Sequence, residues 1–251
     1  MCPMKRLLAA FIFFTRLPFW RMAMVPAECF KHVVPYWPIV GWLTGGVLAG
    51  TLWLLAQVLP MQVAWVGAIV ARLLLTGCLH EDGLADFCDG FGGGTTRERI
   101  LAIMKDSHIG TYGVVGLILY FLLWTQMTVC FPLVTLCAVA FCADVYAKWC
   151  ASHIVNLLPY ARKKEESKAK VTYSRMTLTE FIVGLVGGGL PLLFMLPAGL
   201  WWACLYPPVI FLLLCGWMKQ CIGGYTGDCC GAVFLLCELS FYIGVTLLIW
   251  K

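Results

Sequence analysis

Seven apolar runs constrain this chain more than any other feature. They fall at about 34–58, 62–79, 111–131, 133–158, 178–200, 202–217 and 230–250. A helix needs roughly 20 apolar residues to cross about 30 Å of hydrocarbon. Inside lipid, every backbone N–H and C=O must find an internal partner, which favours helices as the spanning element. The second and sixth runs are short, and Pro60, Pro132 and Pro159 mark breaks between runs. The expectation is an all-α, polytopic membrane helix bundle of about seven transmembrane helices, forming one domain over residues 1–251. Only 12% of residues are charged, about half the share of a soluble domain. The 14 cysteines lie mostly singly within apolar runs, where Cys behaves as a small hydrophobe and not as part of a disulfide frame. No small-residue cleavage site follows Leu7–Phe14, so the N-terminus reads as retained. The basic piece from Arg6 to Trp20 is too short to span and reads as an N-terminal interfacial helix.

The placement of cations orients the bundle. Lys5, Arg6, Arg16, Arg21 and Lys31 precede the first run. Arg97, Arg99 and Lys105 follow the second, and Arg162, Lys163, Lys164, Lys168, Lys170 and Arg175 follow the fourth. Lys219 follows the sixth. With seven spans these segments share one side. The opposite turns, near 59–61, 132 and 201, carry no Lys or Arg, and only Lys251 remains there. Basic loops stay cytoplasmic, so the reading is an integral membrane protein with its chemistry facing the cytoplasm. Trp37, Trp42, Trp201, Trp202, Trp217 and Trp250 near run ends read as an aromatic belt. Gly45-Gly46 and Gly187-Gly188-Gly189 suit close helix packing.

Acidic residues are scarce, yet Glu81, Asp82, Asp86 and Asp89 fall within nine positions. Asp82, Asp86 and Asp89 are spaced i, i+4, i+7, which stacks them on one helix face. A bare stripe of like charge repels itself, and hard divalent cations prefer carboxylate oxygen. The string Gly90-Phe91-Gly92-Gly93-Gly94 reads as ending that helix in a turn whose backbone could approach a phosphate. No Gly-Lys-Ser/Thr follows, so it is not a P-loop. A short amphipathic helix from Arg97 and a polar turn through Lys105, Asp106 and His108 come next. A second glycine-rich strip runs from Gly223 to Asp228, which opens the last run. Glu238 lies ten residues further on, about 15 Å along a helix. Asp144 and Lys148 are i, i+4 within the fourth run, and Arg72 has no evident local partner. Intramembrane ionisable groups are costly and stand as candidates for function. Stacked carboxylates, glycine turns and nearby cations suit metal-assisted phosphoryl transfer.

Four strings then carry a resemblance. Asp82 to Gly90 reads D-G-L-A-D-x-x-D-G, and Arg97 to Gly113 reads R-x-R-x-L-x-I-M-K-D-S-x-x-G-T-Y-G. Tyr160-Ala161-Arg162 follows, then Gly223 to Ala232 as G-G-x-T-G-D-x-x-G-A with Glu238 downstream. With the opening Phe13-Phe14-Thr15-Arg16-Leu17-Pro18, this resembles the cobalamin synthase (adenosylcobinamide-GDP ribazoletransferase) family over about residues 10–250. The resemblance implies a Mg2+-dependent reaction in vitamin B12 assembly, at the cytoplasmic face of the inner membrane. A hydroxyl of α-ribazole, or of its 5′-phosphate, attacks the cobinamide-side phosphorus of adenosylcobinamide-GDP, and GMP leaves. It implies Asp82, Asp86, Asp106 and Asp228 as metal ligands and Asp89 with Asp82 as catalytic residues, Asp89 being the candidate general base. Arg97, Arg99, Lys105 and Arg162, with Gly92, Gly93 and Thr226, become the candidate substrate contacts. Partners are then these two small molecules and the lipid bilayer, with no nucleic acid. Oligomeric state is left open, a homo-oligomer included. The family often shows Ser-Arg where this chain has Ala147-Lys148. The first motif also resembles the signature of CDP-alcohol phosphotransferases. Action on a lipid or polyol alcohol is therefore the alternative, although that family's longer pattern is not met. A transporter predicts mid-membrane acids and an inverted repeat, whereas most acids here cluster at one face.

Overall fold

A computed structural model describes residues 3–129, 131–162 and 172–250. Lys163, Lys164, Lys168 and Lys170 of the basic loop lie outside the described residues. The chain is all-α. In order the helices are α1 (Pro3–Phe14), α2 (Trp37–Leu55), α3 (Met61–Thr76), α4 (Leu79–Gly93), α5 (Arg97–Ile103) and α6 (Thr111–Thr128). They continue with α7 (Leu133–Ser152), α8 (Ile154–Leu157), α9 (Leu178–Met195), α10 (Tyr206–Ile222) and α11 (Gly227–Ile249). Short 3-10 segments lead into α2 and α10.

Among the described residues six helical stretches are long and apolar enough to cross a membrane: Val34–Leu55, Thr111–Thr128, Leu133–Leu157, Leu178–Met195, Ala198–Ile222 and Gly227–Ile249. The sixth predicted run is longer than the sequence suggests, because the 3-10 segment Ala198–Leu205 extends α10. The second run is where the sequence reading needs correcting. It does not continue to residue 79 as one helix. α3 stops at Thr76, the axis turns through 91°, and α4 departs in a new direction. Gly77 and Cys78 are both left-handed, at φ 64° and 57°. Glycine adopts this conformation freely and commonly ends helices. Taken as one broken span, α3 and α4 bring the total to seven.

α7 and α11 form the centre, each with 67% of its most apolar window buried, against 22–28% for α6, α9 and the Ala198–Ile222 stretch. The outer helices instead expose Ile118, Leu122, Leu193, Phe194 and Leu213, side chains that lipid can cover. Close approaches rest on small residues. A Cβ on Gly41 would meet the Val145 backbone at 3.0 Å, and one on Gly45 would meet the Phe141 carbonyl at 3.1 Å, locking α2 to α7. Gly187 abuts Ile39, whereas Gly189 faces open space. Trp37 does not belong to an interfacial belt: it is buried, stacked on Phe14 at 4.9 Å. Trp202 and Trp250 are widely exposed. The N-terminal helix is anchored by Arg6, whose guanidinium donates to the buried Glu180 carboxylate at 2.7 Å. Glu180 also completes a capping box with Thr177 at the start of α9.

Candidate active site

The bend at Gly77–Cys78 gives the first turn of α4 three consecutive side chains with three different jobs. His80 is buried among rings, 4.9 Å from Phe234 and 5.3 Å from Trp37. Glu81 turns into the bundle, where its carboxylate lies 3.8 Å from the Arg72 guanidinium. Asp82 is exposed and lines a cavity of about 140 Å³.

Other parts of the chain complete that cavity. The first turn of α11 contributes Asp228, the segment after α8 contributes Tyr160 and Arg162, and α1 with the segment before α9 contributes Phe13, Phe14 and Tyr173. α4 and α11 cross at glycines. A Cβ on Gly83 would lie 2.8 Å from the Asp228 carbonyl, and one on Gly231 would lie 3.0 Å from the His80 carbonyl. Backbone contact therefore sets Asp82 against Asp228. The Tyr160 segment is strapped to the entry of α11: Ala161 N–H donates to the Tyr225 carbonyl at 2.8 Å, and Tyr225 N–H donates to the Pro159 carbonyl at 3.0 Å. Arg162, 8% exposed, then faces Asp228 at 3.6 Å and donates to the Leu101 carbonyl at 3.3 Å. Thr226 caps α11, its hydroxyl accepting from Cys229 N–H at 3.3 Å and donating to Asp228 at 3.4 Å.

The site residues expected from the sequence thus divide. Asp82, Asp228 and Arg162 converge on one cavity, with Thr226 directly behind Asp228. Asp86 sits one turn beyond Asp82 on α4, half-buried. Asp89 is buried, and its two oxygens accept Gly110 N–H at 2.7 Å and Gly113 N–H at 2.8 Å. It caps α6, satisfying donors that a helix start leaves orphaned and meeting the positive end of its dipole. Asp106 lies in the exposed turn between α5 and α6, where it accepts from the His108 ring and backbone. The His108 ring hydrogen bond, then its backbone N–H, hold the Asp106 carboxyl below the usual carboxylate range.

Arg97 donates to the carbonyls of Ile222 and Ala161 at 3.0 and 2.9 Å, tying α5 to the strapped loop. Arg97, Lys105 and Arg162 also line a second, more open cavity beside the first. Arg99 is exposed at the start of α5, where its N–H is capped by Thr96. Gly92 and Gly93 do not form a turn. They lie inside α4, against Tyr112 and Ile103, and the helix ends only at Gly94. Gly90 likewise faces Met104. These glycines let α5 and α6 pack on α4.

The structure also shows a buried ionic network beneath the cavity. Arg72 (α3) meets Glu238 (α11) at 2.5 Å and Asp144 (α7) at 3.4 Å. Lys148 donates to Asp144 one turn away and to Thr44 (α2) at 2.8 Å. Thr44 in turn donates to Asp144 at 2.7 Å, and Tyr120 (α6) donates to Glu238 at 3.3 Å. The i, i+4 spacing signalled the Asp144–Lys148 pair. No local signal joins Arg72 to Glu238, 166 positions away.

Among the described residues no three His, Cys, Asp or Glu side chains gather closely enough to form a complete protein metal cage. Mg2+ does not require one. It keeps several waters and commonly binds through one or two carboxylates plus substrate phosphates. Asp82 and Asp228 on one cavity wall, with a guanidinium beside them, fit that mode.

A profile of the cobalamin-5-phosphate synthase family matches residues 6–246. The chain is 32% identical to an adenosylcobinamide-GDP ribazoletransferase of Leptospira interrogans, over 96% of this chain and 95% of the relative. It is 37% identical to proteins of the same name from Leptothrix cholodnii (95% and 93% covered) and Shewanella amazonensis (97% and 95%). No solved structure matches the chain.

Proposed function

The chain belongs to the cobalamin-5-phosphate synthase family, and from that membership we propose that it is an adenosylcobinamide-GDP ribazoletransferase of vitamin B12 biosynthesis. A hydroxyl oxygen of α-ribazole, or of its 5′-phosphate, forms a new bond to the cobinamide-side phosphorus of adenosylcobinamide-GDP. The bond from that phosphorus to the bridging oxygen breaks, and GMP leaves. The convergence of Asp82, Asp228 and Arg162 on one cavity carries this reading.

Asp82 and Asp228 would hold Mg2+, which neutralises charge on the transferring phosphate when bound. Asp82 is the more open carboxylate, and its oxygen left free of the metal would take the proton of the attacking hydroxyl. Asp228, held by Arg162 and Thr226, stays fixed. Arg162 presents its guanidinium to phosphate oxygens, a planar fork suited to them. Asp89 supports the reaction indirectly, by capping α6 against α4. A site facing the cytoplasmic side of the inner membrane is supported by the positive-inside pattern, since Arg162 lines this cavity and Arg97 and Lys105 line the one beside it.

The test is GMP release from adenosylcobinamide-GDP plus α-ribazole by detergent-solubilised protein, with and without Mg2+. Mg2+-dependent release by the wild type, and its loss in Asp82→Asn, are expected. CMP release from a CDP-alcohol donor, without GMP release, would overturn the proposal.

A further inference from the structure

α5 holds the strapped segment at two points, one helical turn apart. At the first, the Arg97 guanidinium donates from Nε to the Ile222 carbonyl at 3.0 Å and from Nη2 to the Ala161 carbonyl at 2.9 Å. At the second, the Leu101 carbonyl accepts from Arg162 Nη2 at 3.3 Å. Nε and Nη2 form one edge of a guanidinium, a fork that suits two phosphate oxygens. In Arg97 that edge is occupied by backbone. Both acceptors belong to buried residues, Ala161 at 8% exposure and Ile222 at 0%, and a buried carbonyl needs a donor. Ile222 ends α10, and Gly223 after it is left-handed, at φ 70°. The last carbonyls of a helix have no partner within it, and a cation there meets the negative end of the helix dipole. Arg97 therefore closes α10 and fixes the residue immediately before Arg162. On its other side the strap lies directly on backbone: a Cβ on Gly224 would come within 2.2 Å of the Pro159 carbonyl.

We infer that Arg97 is a positioning residue, which holds the Ala161 carbonyl so that Arg162 is set against Asp228, and which acts on the reaction through Arg162 without touching substrate. The inference rests on the transferase reading above, in which Arg162 meets phosphate oxygens. It moves Arg97 from the substrate contacts expected from the sequence to the frame behind them. Arg162 is sensitive to such a frame. Its Nη1 faces Asp228 at 3.6 Å while its Nη2 is tied to Leu101, so the guanidinium bridges α5 and the first turn of α11. The residue before it has both backbone polar groups fixed. Ala161 N–H donates to Tyr225 at the entry of α11, at 2.8 Å, and the Ala161 carbonyl accepts from Arg97 on α5. Removing Arg97 releases one of these two ties. A shift of about 1 Å in a group that meets the transferring phosphate costs up to about 100-fold in rate.

The experiment uses the detergent-solubilised full chain and compares the wild type with Arg97→Ala, Arg97→Lys, Arg162→Ala and Arg97→Ala/Arg162→Ala. Hydrogen exchange of the peptides carrying Ala161 and Tyr225, followed by mass spectrometry without substrate, reports how firmly the strap is held. GMP release gives kcat and both KM values. Arg97→Ala should exchange about tenfold faster in those peptides, the size of one lost charged hydrogen bond. Its kcat should fall about 10- to 100-fold, with both KM values within about threefold of wild type. Arg97→Lys keeps the charge but cannot span both carbonyls, so it should show faster exchange and an intermediate kcat. In the double variant, Arg97→Ala should lower kcat no more than about twofold beyond Arg162→Ala, because the residue it positions is gone. Unchanged exchange in whichever Arg97 variant folds overturns the inference. So does full multiplication of the two kcat effects in the double variant, or a raised donor KM with unaltered kcat, since either makes Arg97 a substrate contact in its own right. Faster exchange with an unaltered kcat leaves a structural tie alone and also overturns it. A wild type that releases no GMP refutes the transferase reading, and this is told apart from failure of the clamp because the exchange readout needs no substrate.

Discussion

Two aspartates seven residues apart on α4 have opposite surroundings, and their substitutions should separate cleanly. Asp82 faces the cavity, so Asp82→Asn should lower kcat for GMP release at least about 100-fold, the scale of a lost proton acceptor. Its melting temperature in detergent should not change. Asp89 is engaged by two backbone N–H groups of α6. Asp89→Asn forces an amide N–H2 against one of those donors and should cost about 1–3 kcal/mol of stability. That loss is read as a lowered melting temperature, with kcat of the folded fraction within about tenfold of wild type. The reverse pattern would return Asp89 to the role of general base. Spacing alone placed both residues on one helix face. It carried no sign that Gly110–Gly113, twenty-odd residues later, would dock on the last of them. The hints were Gly110 and Gly113 themselves, which leave room for that carboxylate where a Cβ would collide.

Among the elements, the α3–α4 break is the most revealing. Its left-handed pair contains a non-glycine, Cys78 at φ 57°, and such a residue costs about 1–2 kcal/mol. Cys78→Gly should therefore stabilise the protein slightly, raising the melting temperature while leaving GMP release intact. Gly83→Leu should do the opposite. Its side chain would meet the Asp228 backbone, push α4 from α11 and lower kcat without touching the substrate. Helix identity was largely legible in the apolar runs, and the acidic stripe correctly announced a helix over Asp82–Asp89. The break was not read, because the apolar run continues through Leu79 and hydropathy is blind to φ. Gly77 was the available punctuation mark. The glycines at 90–94 misled in the other direction. They sit in a helix because α5 and α6 need close access to it, a tertiary demand that local propensity does not express.

For the whole molecule, the buried network joins α2, α3, α4, α6, α7 and α11 through Thr44, Arg72, Glu81, Tyr120, Asp144, Lys148 and Glu238. Removing one member strands a charge, which costs about 3–5 kcal/mol. Glu238→Ala should thus shift the protein towards aggregation on gel filtration, and the double variant Glu238→Ala/Arg72→Met should recover part of the loss. The sequence announced that these residues were expensive. It could not pair them, since their spacing along the chain bears no relation to their convergence. The orientation expected from the cations is open to a direct test. An alkaline phosphatase reporter, active only outside the cytoplasm, should work when fused after residue 250 and fail when fused after Lys105. Activity at both positions would refute a seven-span arrangement.

The modest size of the cavity has a last consequence under the proposed reaction. A space of about 140 Å³ is far too small to enclose a corrin macrocycle, which stays outside it. Such an enzyme is a reader of handles: it grips the nucleotide loop's unfinished end and ignores the cargo behind it. Corrinoids altered on the far rim, or carrying a different upper axial group, should pass through with the same kcat. Selectivity among them must then be exercised at other steps.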